Sequence, residues 1–268
     1  MLVVVGINIE KLLGAMFGVI DSAISVNFIP SGMNLTGELD LSKVVHYPLH
    51  EDQYFKQEFK KTQLVLHFSA GWDNSRGMID GWKADKYRVA TAFGLTDDGS
   101  LIQAFDPKHW ASHVGYFIQG VGGNDKAYKL VPGTNNRETN LAIEVRTIGI
   151  EICNWGALRL MDGKYHTWAS TVTRPITLPE SKVCTYEKPF RGSNYYERYT
   201  DQEIETLWKW IRHYCKAFNI PATFDVSNFD LNVNAIKGVP GVYTHCNFRA
   251  DKGDLAPQKE LVEMLKQL

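Results

Sequence analysis

The stretch TQLVLHFSAG, residues 62–71, decides the fold. Leu64, Val65 and Leu66 form an unbroken apolar run closed by Gly71, the pattern of a short buried strand. Such a strand needs partners on its edges and cover on its faces. His67 closes the run, and an imidazole buried there needs a polar partner.

Working outward, YRVATAFGLTDDGSLIQAF, residues 87–105, reads as a hairpin with DDG as its turn. NLAIEVRTIGIEICNWG, residues 140–156, contains a second buried strand, and Glu151 stands inside its apolar IGIEI run. A carboxyl buried there without a partner is driven toward its neutral form, so it is either ion-paired, at a sheet edge, or functional. TDQEIETLWKWIRHYCKAFNIP, residues 200–221, predicts a helix. Thr200 and Glu203 have capping-box spacing, Ile204, Leu207, Trp208, Ile211, Cys215 and Phe218 fall on one stripe, and Pro221 follows the end. PQKELVEMLKQL predicts a closing helix. Residues 157–199, rich in aromatic and basic side chains, read as a long loop. The fold class expected is α/β, a mixed central β-sheet flanked by helices.

The 268 residues carry 29 basic and 30 acidic side chains, a net charge of -1. That balance supplies no basic excess to grip nucleic acid. Cys153, Cys184, Cys215 and Cys246 form no C-x-x-C pair, so a zinc ribbon or redox pair is not indicated and buried free thiols are expected. The first 30 residues are apolar but broken by Glu10, Lys11 and Asp21. The first charge is negative, unlike a secretory signal. Ile9, Leu12, Leu13, Met16, Phe17, Ile20, Ala23 and Ile24 recur at helical spacing, so a packed amphipathic helix is expected in preference to membrane contact. PSGMNLTGELD, residues 30–40, reads as a connector, dividing an N-terminal helical arm, 1–42, from the main domain, 43–268.

Near the C-terminus, GVYTHCNFRADKGDLAP, residues 241–257, follows a strand-like start with His245, Lys252 and Asp254. A catalytic zinc keeps three protein ligands and one position for water, and His and carboxylate suit it. Nine residues let a loop bring His245 and Asp254 to one ion, with His67 as a third candidate. A lysine beside a cation is costly unless it serves the reaction, for example by steadying an oxyanion. The plain alternative is a solvated polar loop and a hydrogen-bonded core histidine.

Together these residues resemble the zinc-dependent N-acetylmuramoyl-L-alanine amidases, which include phage endolysins and are related to peptidoglycan recognition proteins. The resemblance runs through LVLHFSAG at His67, HVG at 113–115, IGIE at 148–151, the capped helix ending in IP, and His245 followed by Lys252, Asp254 and Pro257. It covers residues 45–268. It implies an amidase-like or peptidoglycan-recognition-like fold with Zn²⁺ on His67, His245 and Asp254. Glu151 would be the general base and Lys252 the oxyanion stabiliser. The substrate implied is peptidoglycan, cut between N-acetylmuramic acid and L-alanine, and the setting a phage host's cytoplasm before release to the wall, or the cell envelope.

Three features depart from the pattern. The His245-to-Asp254 spacing is one residue short, which makes Asp251 a rival ligand and leaves Cys246 a weaker one. WASHVG replaces the usual Trp-His pair and leaves the role of His113 open. Residues 157–199 have no counterpart, and Tyr165, His166, Trp168, Tyr195 and Tyr196 either line a sugar groove or pack on the sheet. Two other classes of function compete: a non-catalytic peptidoglycan-binding module on the same fold, and a cysteine hydrolase using Cys153 or Cys246.

Overall fold

The computed structural model describes Met33 and residues 35–71, 75–85, 87–120 and 122–268. The helix expected over residues 9–24 lies outside the described residues. At the end of the expected arm, Met33 and Leu35 are buried in the main apolar cluster.

The strand read from residues 62–71 is β2, Gln63–Phe68. β1 is Val45–His46, β3 Phe93–Leu95, β4 Leu101–Gln103, β5 Thr147–Ile152 and β11 Gly241–Thr244. These six make one sheet in the order β1-β4-β3-β5-β2-β11. Only β3 and β4 pair antiparallel, as the hairpin expected across DDG, and the rest are parallel. Parallel strands are covered on both faces, which is why β2 and β5 read as continuous apolar runs.

Alternation along each strand splits the core in two. Leu64 and Leu66 of β2 and Ile148, Ile150 and Ile152 of β5 face the larger cluster. There they meet α4, Asp201–Phe218, through Ile204, Leu207, Trp210 and Ile211. The expected capping box is present: Thr200 Oγ1 accepts from the Glu203 amide at 3.1 Å, and the Thr200 amide donates to Glu203 Oε2 at 2.7 Å. α6, Lys259–Leu265, packs on α4. α1, Ser75–Ala84, joins this side through Ile79.

On the opposite face Val65 and Tyr243 meet Val114, Tyr116, Ile143 and Ile236. Ile143 belongs to α3, Arg137–Arg146, which leads directly into β5. Two short helices, α2 at Asp125–Leu130 and α5 at Val233–Lys237, add Ala127 and Ile236 to the same cluster. The strand expected within residues 140–156 therefore occupies only 147–152, and the residues before it are helical.

Residues 157–199 correct the expectation of a long loop. They build a second, antiparallel sheet from β6 (Ala157–Met161), β7 (Lys164–His166), β8 (Thr177–Leu178), β9 (Val183–Phe190) and β10 (Ser193–Glu197). Its strand order is β8-β7-β6-β10-β9. Asp162 with Gly163, and Arg191 with Gly192, turn two of its hairpins with positive φ at both positions. Two-residue hairpin turns require that conformation because it matches strand twist. Among the described residues no helix is long and apolar enough to cross a membrane.

Candidate metal and catalytic site

The site lies at the C-terminal ends of the parallel strands β2, β5 and β11. β2 and β5 pair in parallel with His67 opposite Glu151, so both side chains stand on the Val65 face of the sheet. β11 ends at Thr244, and His245 opens the next turn. The Thr244 amide donates to Asn247 Oδ1 at 2.8 Å, which holds that turn in shape. The loop after it doubles back, and the Cys246 amide donates to the Asp254 carbonyl at 3.0 Å. That closure returns the Asp254 side chain to His245.

Three ligand-type atoms meet there. His67 Nδ1 and His245 Nδ1 are 3.0 Å apart. Asp254 Oδ2 is 3.2 Å from His67 Nδ1 and 2.9 Å from His245 Nδ1. All three residues are buried and form a group able to hold a metal ion. The donor set fits zinc. Tetrahedral bonds of about 2.0–2.1 Å put donors roughly 3.3 Å from one another, close to the spacings here. Three protein donors also leave one coordination position for water or substrate.

The electrostatics are those of a closed polar cluster. Burial lowers the His67 pKa to about 4, and the neighbouring His245 adds to the effect while Asp254 opposes it. Glu151 behaves in the opposite way: burial and then the Asp254 charge push it well above the ordinary value, against the pull of Lys252. Its Oε2 is buried with no hydrogen-bond partner among the described residues. A buried acceptor left in that state is expensive, and it stands next to the His67 end of the donor triangle. Lys252 is half-buried and near enough to act on both Glu151 and His67.

The rival ligands go elsewhere. Asp251 is exposed and takes two bonds from Arg249, at 3.0 and 2.6 Å. Cys246 is buried, and its thiol donates to the Lys252 carbonyl at 3.3 Å. Burial pushes the Cys153 and Cys246 thiols up to about 12, the reverse of an activated nucleophile.

His113 lies inside the site. Its Nδ1 is 2.9 Å from His67 Nε2, and its Nε2 is 2.8 Å from Thr147 Oγ1. The HVG backbone is held by Glu144, whose carboxylate accepts from the amides of His113, Val114 and Gly115 at 2.8, 3.1 and 2.7 Å. The Val114 carbonyl accepts from His245 Nε2 at 2.7 Å. Glu144 and Thr147 were not singled out in the sequence. The available signal was an acid within the apolar LAIEV run, in a helix's last turn, where the dipole disfavours negative charge. Gly149 of IGIE has a steric role: a Cβ there would lie 2.9 Å from His113 Nδ1 and 2.7 Å from Thr91 Cγ2. Only a glycine lets the His113 ring lie against β5.

Of the aromatic residues in the second sheet, Tyr196 is buried with its hydroxyl donating to the Phe190 carbonyl at 2.8 Å, so it packs and lines no groove. Tyr165 meets Tyr195 edge-on at 5.2 Å, and His166 Nδ1 lies 2.9 Å from Ser170 Oγ. Trp168 is exposed, and its indole donates to the Ala70 carbonyl, three residues past His67.

No family model and no curated protein matches the chain. Among solved structures it is similar to PlyL, at 12% identity over 78% of this chain and 84% of that one, with a TM-score of 0.40. The N-acetylmuramoyl-L-alanine amidase LysC from Clostridium intestinale URNW aligns at 14% identity over 84% and 95%, with a TM-score of 0.40. AmpD aligns at 13% over 82% and 90%, with a TM-score of 0.37. Likenesses this distant transfer no function, and the reading below rests on the site.

Proposed function

We propose that the chain is a zinc-dependent amide hydrolase of peptidoglycan that separates N-acetylmuramic acid from L-alanine. The observation that carries the hydrolase reading is the meeting of His67 Nδ1, His245 Nδ1 and Asp254 Oδ2, each pair 2.9–3.2 Å apart, beside Glu151, whose buried Oε2 has no hydrogen-bond partner among the described residues. The choice of substrate rests on the order of the motifs, from LVLH through IGIE to K-x-D.

His67, His245 and Asp254 hold the ion. When bound, zinc polarises the scissile carbonyl and makes water more acidic. Glu151 Oε2 accepts the proton from the attacking water and delivers it to the amine nitrogen as the C–N bond breaks. The products are the lactyl carboxylate on the sugar and a peptide with a free amino terminus. The Lys252 ammonium offsets the charge that builds on the carbonyl oxygen.

The test is release of new amino termini from purified peptidoglycan, with and without a chelator. Chelation is expected to abolish release, and zinc to restore it. Glu151→Gln should retain the metal and lose about 10²–10⁴-fold in turnover. Full activity in metal-stripped protein overturns the zinc reading, and unchanged turnover in Glu151→Gln removes Glu151 from the chemistry.

A further inference from the structure

With both rings neutral, as metal binding requires, the donors and acceptors around the two histidines assign their protons. The Val114 carbonyl can only accept, so His245 Nε2 carries a hydrogen, and the neutral ring that a bound cation requires leaves Nδ1 as a lone pair facing Asp254 Oδ2 at 2.9 Å. The second chain is longer. Thr147 Oγ1 lies 3.1 Å from the Glu144 carbonyl, which again can only accept, so the hydroxyl proton points there. The hydroxyl therefore receives its bond from His113 Nε2–H, at 2.8 Å. His113 Nδ1 is left as an acceptor, and it receives His67 Nε2–H at 2.9 Å. His67 Nδ1 is then a lone pair too.

We propose that the His113 side chain and the Val114 carbonyl, held in place by Thr147 and Glu144, set the tautomer of both metal-binding histidines. Both Nδ1 atoms are thereby made to offer lone pairs to one cation. This rests on the metal reading above and adds positioning residues that the reading does not use. Two observations point the same way. Two lone pairs and a carboxylate oxygen packed within 2.9–3.2 Å repel one another without a positive charge between them. Gly149 also leaves the space the His113 ring occupies, since a Cβ there would sit 2.9 Å from its Nδ1. Partners of this kind hold ligand rings in one tautomer and orientation, and their loss typically costs 10–100-fold in metal affinity.

The experiment uses the full chain and two readouts. Long-range ¹⁵N–¹H spectra of metal-free protein report which nitrogen of each imidazole carries its proton, and competition with a chromogenic chelator gives the zinc affinity. His67 and His245 are expected as Nε2–H in the metal-free wild type. Thr147→Val removes the hydroxyl at nearly constant volume. It should shift His67 toward the Nδ1–H form and weaken zinc binding by about 10–100-fold. Thr147→Ser keeps the hydroxyl and should restore both, which a merely structural role would not require.

An Nδ1–H form of His67 in the metal-free wild type overturns the proposal. So does a folded Thr147→Val that binds zinc as tightly as wild type. Should that variant fail to fold, the wild-type spectrum still decides. A wild type with both rings as Nε2–H that takes up no zinc overturns the metal reading instead, so the two failures are told apart.

Discussion

The two sheets of this protein solve different problems. In the central sheet β2 and β5 are buried on both faces, and their ends carry His67 and Glu151. The second sheet is largely half-buried or exposed: four of the five residues of β6 are exposed, and Leu158 alone is buried. Leu158 and Tyr196 are buried without joining either apolar cluster. The site is thus built where position is over-determined by packing, and the second sheet is held by hairpin turns and hydrogen bonds. Regions with few buried apolar contacts open at lower free energy than the core. Amides of β2 and β5 should exchange only with global unfolding, and those of β6 to β10 through a smaller opening.

The contrast yields predictions in falling order of effect. Leu66→Ala, in the middle of β2, should cost about 2–5 kcal/mol of global stability in denaturant melts. It should lower hydrogen-exchange protection of β2 and β5 and leave that of β6 to β10 unchanged for as long as their smaller opening is the easier route. Leu158→Ala should lower protection within residues 157–199 while β2 stays protected. If β2 loses protection equally, the two sheets open as one unit and the comparison fails.

Next comes Lys61, whose buried ammonium donates to the Val145 and Thr147 carbonyls at 2.9 and 3.2 Å, where α3 runs into β5. Burial lowers its pKa from 10.5 to about 8, with Glu144 opposing. Between those values the unfolded chain holds a proton that the folded chain lacks. The cost of burying the charge is therefore full below pH 8 and fades as pH rises toward 10.5. Wild type should gain on Lys61→Met by about 1 kcal/mol per pH unit across that window, read as the difference between two sets of melts. A flat difference would mean that the ammonium is not held in a dry environment.

The smallest effect belongs to the second sheet's edge. Gly192 turns the β9–β10 hairpin at a φ of 85°, with no atom of the described residues within 4 Å of where a Cβ would go. Gly192→Ala should cost about 1 kcal/mol through backbone strain alone. A larger loss, with zinc affinity falling too, would tie this hairpin to the site. Arg191 beside it gives such a link a physical route, since its guanidinium donates to the Ala250 carbonyl at 2.9 Å and pairs with Asp230 at 2.9 Å.

What could be read beforehand follows the same division. β2, the DDG hairpin and α4 with its capping box stand in local patterns of period and cap, whereas His67, His245 and Asp254 were singled out as candidates with Asp251 still a rival. The second sheet was hidden because its strands are mostly exposed and lack a clean alternation of apolar and polar residues. The DG of Asp162 and Gly163, between LRLM and KYH, was the hairpin signal that outweighs weak alternation. The helical half of residues 137–152 was hidden because α3 runs into β5 with no breaker between Arg146 and Thr147.

The sequence by itself determined the buried strands, the capped helix and the residue types able to bind a cation, because period, capping and donor chemistry are local properties. Only the tertiary structure decided which residues serve each histidine. His113, Glu144 and Thr147 are far from His67 along the chain, and a hydrogen bond is set by distance and direction. It also placed Asp254, and not Asp251, against the two histidines, since the closure of the Cys246 amide on the Asp254 carbonyl turns one carboxylate inward and leaves the other on Arg249.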